Sequence, residues 1–203
     1  YTISYVNGGL TITPAPLTAV VIPAPMTYNG GTIVPNSTTL QGVIAGTTVS
    51  GSSTLNLAGS GAGTQPLVYG GTTLSGANMG DYVVTGYTIG QNSGNAVNGN
   101  VNGSNNGGNA TPANNSTTGA SLVVAPAPLT ITGDNTSYVF DNTTRTNTYT
   151  VSGLLGTDSV TAVNGLASGL HVNSYADNLS GATGSGLGNY TISYVNGSLT
   201  ITA

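Results

Sequence analysis

Apolar and polar residues alternate along most of the chain, and Gly, Pro or Asn-Gly interrupts the alternation about every 8 to 12 residues. The alternation is clear at residues 82–85, 148–151 and 170–172, and helical periodicity is nearly absent. Short alternating runs that are rich in β-branched residues and separated by turn signals are typical of all-β sandwiches. We therefore predict an all-β fold made of antiparallel β-sandwich-like modules.

A nearly identical segment occurs at both ends of the chain, as YTISYVNGGLTIT at residues 1–13 and YTISYVNGSLTIT at residues 190–202. In each copy an Asn-Gly pair separates two alternating runs, which is the strongest local signal for a β-hairpin with a type I′ turn. Such a turn requires positive φ at both residues of Asn7-Gly8 and of Asn196-Gly197. The predicted cross-strand pairs are Tyr5–Leu10, Ile3–Ile12, Tyr194–Leu199 and Ile192–Ile201.

A second repeated marker, Pro-Ala-Pro-Leu-Thr, occurs at residues 14–18 and 126–130. Because proline cannot donate to a β-ladder, the marker is interpreted as a stiff connector between sheets. The two repeats together predict tandem modules stacked into an elongated array or fibre. The predicted divisions are a closing hairpin of a preceding repeat at 1–13, a first β module at 14–125 and a second at 126–203.

Residues 1–13 are expected to complete or extend a neighbouring module. A two-stranded hairpin is only marginally stable by itself in water, and its apolar face needs a covering partner.

Residues 91–119 consist almost entirely of Asn, Gly, Ser, Thr and Ala. They carry too little apolar surface to offset the entropy of ordering them. We interpret them as a long surface loop of the first module. A binding loop, or an Asn/Gly ladder that contacts a neighbouring chain, is the alternative.

Only 3% of the residues are charged, and the chain has one Lys or Arg, five Asp or Glu and no Cys. The lack of Cys excludes disulfides and thiol chemistry. The lack of a basic patch argues against a nucleic-acid partner, and no apolar stretch is long enough for membrane insertion. Lys, which normally protects sheet edges, is missing from the sequence. We therefore expect β-edge contacts with neighbouring repeats of the same chain or with identical subunits.

The sequence predicts no catalytic, cofactor-binding or metal-binding residue. His171 is the sole imidazole and is interpreted as a polar residue of a strand. Asp134-Asn135 and Asp141-Asn142 could offer oxygens to Ca²⁺, but they lack the spacing of a calcium loop and are interpreted as Asx turns. The available carboxylates are Asp81, Asp134, Asp141, Asp158 and Asp177.

Two stretches of the second module, PAPLTITGDNTSYVFDNTTRTNTYTVSGLLGTDSV and SYADNLSGATGSGLGNYTISYVNGSLTIT, cover most of residues 126–203. They resemble the YDG/MBG class of repeats in large secreted bacterial surface proteins, many of which look like filamentous-haemagglutinin-type adhesins. The first module shares the pattern more loosely, at residues 14–18, 28–30, 74–77 and 80–82. The position of the name-giving tripeptide Tyr-Asp-Gly is taken by Tyr28-Asn29-Gly30 in the first module and by Phe140-Asp141-Asn142 in the second, so neither copy is exact.

The resemblance implies an extracellular, β-rich repeat at a bacterial cell surface, with no catalytic residues. We expect a structural repeat segment of an adhesin stalk or of a self-associating fibre. The competing hypothesis is a carbohydrate- or surface-binding adhesive module that uses residues 91–119 and exposed Tyr side chains. An enzyme that depends on His171 is the third.

Overall fold

The computed structural model describes residues 1–90, 101–104 and 120–203. The chain forms two compact units. Unit 1 contains Tyr1–Ala24, Ile33–Leu57 and Pro66–Leu122, and unit 2 contains Pro25–Thr32, Ala58–Gln65 and Val123–Ala203. The loop predicted at 91–119 lies outside the described residues, apart from 101–104. The repeat boundaries at residues 14 and 126 stay a prediction.

The described residues form strands and two short 3-10 turns, so the all-β prediction is confirmed. The strands are β1 Ala15–Pro23, β2 Met26–Thr27, β3 Asn36–Gln41, β4 Ser50–Leu57, β5 Gly63–Ser75, β6 Tyr82–Ile89, β7 Val101–Ser104, β8 Ser121–Ala125, β9 Ala127–Gly133, β10 Asn135–Val139, β11 Arg145–Thr146, β12 Tyr149–Ser152, β13 Ser159–Asn164, β14 Ser168–Gly169, β15 Asn173–Ala176, β16 Ser180–Ser185, β17 Tyr190–Val195 and β18 Ser198–Thr202. The 3-10 turns are Met79–Asp81 and Leu187–Asn189. In the described ranges we find no helix with the length and apolar character needed to cross a bilayer.

Unit 1 contains a sheet with the strand order β3-β1-β6-β7. Strand β1 is antiparallel to β3 and parallel to β6, and β4 pairs with β5 in an antiparallel ladder. Alternate residues of β1, namely Leu17, Ala19 and Val21, are buried, as the period of two requires. In the core of unit 1, the rings of Tyr69 and Tyr87 stack with their centroids 3.9 Å apart.

Unit 2 contains two three-stranded sheets, with the orders β12-β9-β17 and β10-β18-β15. Strand β9 is antiparallel to β12 and parallel to β17, while β18 is parallel to β10 and antiparallel to β15. The pairs β13–β16 and β11–β14 are antiparallel, and β2 is parallel to β8. The core includes Leu129, Ile131, Leu199 and Ile201.

The prediction of antiparallel modules is therefore wrong, because the sheets are mixed. An alternating strand presents the same apolar face whether its neighbour runs parallel or antiparallel, so the pattern that predicted the strands could not predict their directions.

The predicted hairpin at residues 190–202 is also wrong. Its two strands, β17 and β18, do not pair with each other but with β9, β10 and β15. The predicted pairs Tyr194–Leu199 and Ile192–Ile201 are thus not formed, and neither Asn196 nor Gly197 has positive φ. Asn196-Gly197 carries the chain from one sheet to another.

The hairpin predicted at residues 1–13 is absent as well. Residues 1–14 contain no strand, and all their side chains are exposed, so the pairs Tyr5–Leu10 and Ile3–Ile12 are not formed. Their role in completing a neighbouring module stays a prediction.

The two units repeat one strand arrangement. In unit 1, β1 lies between β3 and β6, and in unit 2, β9 lies between β12 and β17, with the same directions. The registers agree, since Ala15 lies opposite Tyr82 and Ala127 lies opposite Tyr190.

Polar contacts repeat together with the strands. The Tyr82 hydroxyl accepts a hydrogen bond from the backbone N–H of Ile44 at 3.0 Å, and the Tyr190 hydroxyl accepts one from Leu155 at 2.9 Å. A serine pair also recurs. The hydroxyls of Ser50 and Ser75 are 2.8 Å apart between β4 and β5, and those of Ser159 and Ser185 are 3.0 Å apart between β13 and β16.

Candidate functional site

Residues 190–202, here called the closing segment, are held by unit 2 along their whole length. Strand β17 pairs with β9 from Tyr190, opposite Ala127, to Val195, opposite Thr132. Strand β18 is the central strand of its sheet, between β10 and β15. The side chains of Leu199 and Ile201 are 0% and 3% exposed. The groups that bind this segment are called its seat.

The carboxylate of Asp158, which is hydrogen-bonded to two tyrosine hydroxyls, holds the beginning of the closing segment. Asp158 accepts hydrogen bonds from the hydroxyls of Tyr190 and Tyr28, both at 2.7 Å. The two rings meet edge to face, with centroids 5.4 Å apart and planes at 80°. Tyr28 and Tyr190 are buried, so these bonds lie partly out of water. The cluster joins the segment Pro25–Thr32 to β17 within unit 2.

The cluster shifts the titration of both phenols. The hydrogen bond to Asp158 raises the pKa of Tyr28 from 10.0 to about 12, and burial acts in the same direction. Burial raises the pKa of Tyr190, and its hydrogen bond to Asp158 adds to the effect. In both cases a phenolate would have to form out of water beside a carboxylate.

We expect unit 2 to lose stability between about pH 10 and pH 12. The folded state holds the Tyr28 proton more tightly than the unfolded chain, whose tyrosines titrate near about pH 10. The stability that the tighter binding of this proton contributes is present below about pH 10. It is lost as the pH rises through the pKa of Tyr28 in the folded state. The urea midpoint of unit 2, followed by the methyl NMR signals of the buried Leu129 and Ile131, measures this loss. A Tyr28→Phe variant should lose less over the same pH range, and parallel curves for the two proteins would contradict the assignment.

A second buried carboxylate holds the middle of the closing segment. Asp177 is 4% exposed. It accepts hydrogen bonds from the backbone N–H of Ala167 at 2.7 Å, from Asn147 Nδ2 at 2.8 Å and from the backbone N–H of Gly197 at 3.1 Å. The backbone N–H of Asp177 donates to the Gly197 carbonyl at 3.0 Å. Asp177 therefore binds both the N–H and the carbonyl of Gly197.

Asn147 extends this network to β10. It is 3% exposed, and its Nδ2 also donates to the Asp134 carbonyl at 2.7 Å. Its Oδ1 accepts a hydrogen bond from the Thr136 hydroxyl at 2.8 Å. Such a fully bonded buried amide specifies one arrangement of the surrounding backbone.

The residues considered for chemistry lie apart from this seat or have structural partners. His171 is exposed in a bend, so the strand predicted at 170–172 is not formed. The His171 carbonyl accepts the Tyr175 hydroxyl at 3.1 Å. Asp141 forms an ion pair with Arg145 and accepts the backbone N–H of Thr143 at 3.0 Å, which is an Asx turn.

The described part of the chain contains no group of three or more His, Cys, Asp or Glu side chains that could hold a metal ion. Asp134 and Asn135 accept hydrogen bonds from the hydroxyls of Thr148 and Ser198. Asp81 accepts one from Asn78 Nδ2 at 3.2 Å.

From the sequence, Asp158 and Asp177 were identified only as available carboxylates. Their roles as hydrogen-bond acceptors for the closing segment were not predicted. Both use their oxygens to accept hydrogen bonds from groups distant in the chain, such as Tyr28. Their isolation in a nearly uncharged sequence is the one signal that could have drawn attention to them, since a charge is costly to bury without partners.

Unit 1 contains an open cavity of about 480 Å³ between the end of β5, the first 3-10 turn and the start of β6. Its lining includes Thr72, Leu74, Met79, Tyr82 and Val84. These side chains offer apolar contact and hydroxyl groups, without a carboxylate or an imidazole.

Residues 129–200 match the family model of the MBG domain (YGX type). The resemblance to a YDG/MBG-type repeat is thus confirmed for this range, which contains Asp158, Asp177 and most of the closing segment. MBG domains occur in cell-surface proteins. No curated protein and no solved structure matches the chain significantly.

Proposed function

We propose that the chain is a non-catalytic structural segment of an extracellular adhesin stalk or self-associating fibre at a bacterial cell surface. The proposal is supported by the MBG match at residues 129–200. The observation that carries it is the repetition of one strand arrangement, with the same tyrosine and serine contacts, in the two units. A chain that repeats one structural module is suited to setting length and stiffness.

The directions of the strands favour a load-bearing role for unit 2. Strand β9 enters at Ala127, and the chain leaves this sheet at Val195 in β17, which runs parallel to β9. Tension between residues 126 and 203 would act on β9 at its first residue and would reach the end of β17 through β18 and residues 196–197, so it would pull the two parallel strands in opposite directions. The hydrogen bonds of the ladder would then be loaded together rather than one after another. The parallel pair β10–β18 would be loaded in the same way.

Uncharged sheet edges would allow contacts between modules. In unit 2, β12 and β17 are the edge strands of one sheet, and β10 and β15 are those of the other. None of these four strands contains a charged residue. Because charge is a common protection against edge pairing, neighbouring repeats or identical subunits are the partners that these edges suit best.

Single-molecule stretching tests the load-bearing role. The chain has no Cys, so introduced cysteines give unique attachment points. We expect a higher unfolding force with attachment at Pro126→Cys and Ala203→Cys than at Pro126→Cys and Ser152→Cys. The second pair opens the antiparallel ladder of β9 and β12 from one end, where Ser152 lies opposite Thr130.

Equal, low forces in the two directions of pulling would contradict a stalk. The location is tested separately, by labelling intact cells with an antibody against this chain. Labelling that requires lysed cells would contradict a surface protein.

A further inference from the structure

Residues 1–13 repeat the closing segment with one difference, Gly9 in place of Ser198. In this structure they form no strand and are exposed, whereas residues 190–202 are seated in unit 2. We propose that residues 1–13 of one copy take the place of the closing segment in the seat of unit 2 of a second copy when that copy's own closing segment is displaced. This exchange goes beyond the proposed function, because it concerns isolated molecules in solution and does not depend on a role as a stalk.

The backbone part of the seat recognises any segment of the right shape. The closing segment forms parallel ladders with β9 and β10 and an antiparallel ladder with β15. These hydrogen bonds use main-chain groups, so a second segment of equal length can form them as well. Specificity must come from side chains.

The apolar and phenolic side chains that the seat binds are present in residues 1–13. Leu199 and Ile201, which are buried, correspond to Leu10 and Ile12, which are 88% and 85% exposed. Tyr190, which donates to Asp158, corresponds to Tyr1. Tyr194 corresponds to Tyr5, and the Tyr194 hydroxyl accepts the backbone N–H of Ala182 at 2.9 Å.

The connection between the two strands is also reproduced. Asn196 Oδ1 accepts the backbone N–H of Leu179 at 2.8 Å, and Asn7 offers the same group. The backbone N–H of Gly197 donates to Asp177, and a Cβ at this position would lie 2.2 Å from the Asp134 carbonyl oxygen. Residues 1–13 have Gly8 at that point, so they meet the steric requirement of the seat.

The single difference affects an exposed contact. The Ser198 hydroxyl donates to Asn135 Oδ1 at 3.0 Å on the surface, and Gly9 lacks this bond. The backbone N–H of Ser198 donates to the Asp134 carbonyl at 3.0 Å, and Gly9 retains that donor. The seat therefore loses one surface hydrogen bond when it holds residues 1–13.

Exchange between copies is the expected form of this binding. The closing segment of each molecule has the advantage of covalent attachment to its own unit 2, so it occupies the seat in the native chain. A copy whose closing segment cannot be buried leaves the seat open. Residues 1–13 of a second copy can then restore nearly the same contacts, as in a domain swap.

Matched substitutions at Leu199 and Leu10 test the exchange in the full chain. Leu199→Asp places a carboxylate where the side chain is fully buried and so displaces the closing segment. We expect this variant to form a dimer by light scattering. The β9 amides should keep their protection from hydrogen exchange, and residues 1–13 should gain it. Leu10→Asp alone should keep the oligomeric state and the β9 protection of the native chain, and the double variant should lose the protection of β9.

A peptide with the sequence of residues 1–13, added in excess, should restore the protection of β9 in the double variant. The same peptide with Asp in place of Leu10 should not. Three results would overturn the exchange: loss of β9 protection in Leu199→Asp to the level of the double variant, full protection in the double variant, or a protected Leu199→Asp monomer.

Discussion

Replacing Gly197 by Ala is expected to destabilise unit 2 by about 3 kcal/mol, the upper end of the usual range for overpacking, because the new methyl group has no space. A Cβ at Gly197 would lie 2.2 Å from the Asp134 carbonyl oxygen and 2.4 Å from the Gly133 carbonyl oxygen. Both contacts are with backbone, so relief requires movement of the chain between β9 and β10. Urea unfolding followed by amide NMR signals of β9 measures the change.

Gly8→Ala provides a matched control within the same molecule. Gly8 has the same preceding residues, Tyr-Val-Asn, and nothing lies within 4 Å of a Cβ built there. We expect the stability of unit 2 to change by less than about 0.5 kcal/mol. A Gly197→Ala variant as stable as Gly8→Ala would show that the two carbonyls do not approach Gly197 as described.

Replacing Asp177 by Ala is expected to destabilise unit 2 by about 3 kcal/mol or more, since each buried donor left without an acceptor costs about 1–3 kcal/mol. Three donors, the backbone N–H groups of Ala167 and Gly197 and the amide of Asn147, would lose their acceptor. A buried donor without an acceptor has lost its hydrogen bonds to water and gains no bond within the protein in return. The measurement is the same unfolding experiment.

Two further substitutions separate the network from a general effect of removing charge. Asp81 is exposed and lies in unit 1, so Asp81→Ala should change the free energy of unfolding of unit 2 by less than about 0.5 kcal/mol. Asp177→Asn should fall between Asp177→Ala and the native protein, because it keeps one oxygen but turns an NH₂ group toward other donors. An Asp177→Ala variant no less stable than Asp81→Ala would contradict the role given to the network.

Several features could be predicted from the sequence because they depend on neighbouring residues. The alternation at residues 82–85 predicted a strand, and β6 begins there with Tyr82 and Val84 buried on one face. Turn residues at short intervals predicted the all-β class, and the motifs of residues 126–203 predicted the MBG match at 129–200. Local spacing determines which side chains share a face of a strand.

The candidate site could not be predicted in the same way. Asp158 binds Tyr28 across 130 positions of sequence, and Asp177 binds Asn147 across 30. A motif search finds residues at fixed, short spacing, so it cannot indicate which distant groups a carboxylate will meet. Each Asp was therefore visible as a charge and not as the acceptor that holds the closing segment.

The sequence by itself determined the all-β class, strands such as β6 and β12, and the repetition of the closing segment at residues 1–13 and 190–202. Only the tertiary structure decided the partner of each strand. Asn196-Gly197 has the composition of a hairpin turn, yet β17 pairs with β9 and β18 lies between β10 and β15. The physical reason is that a hairpin would satisfy only the local ladder. The observed pairing buries Leu199 and Ile201 in the core and places the Gly197 N–H against the Asp177 carboxylate.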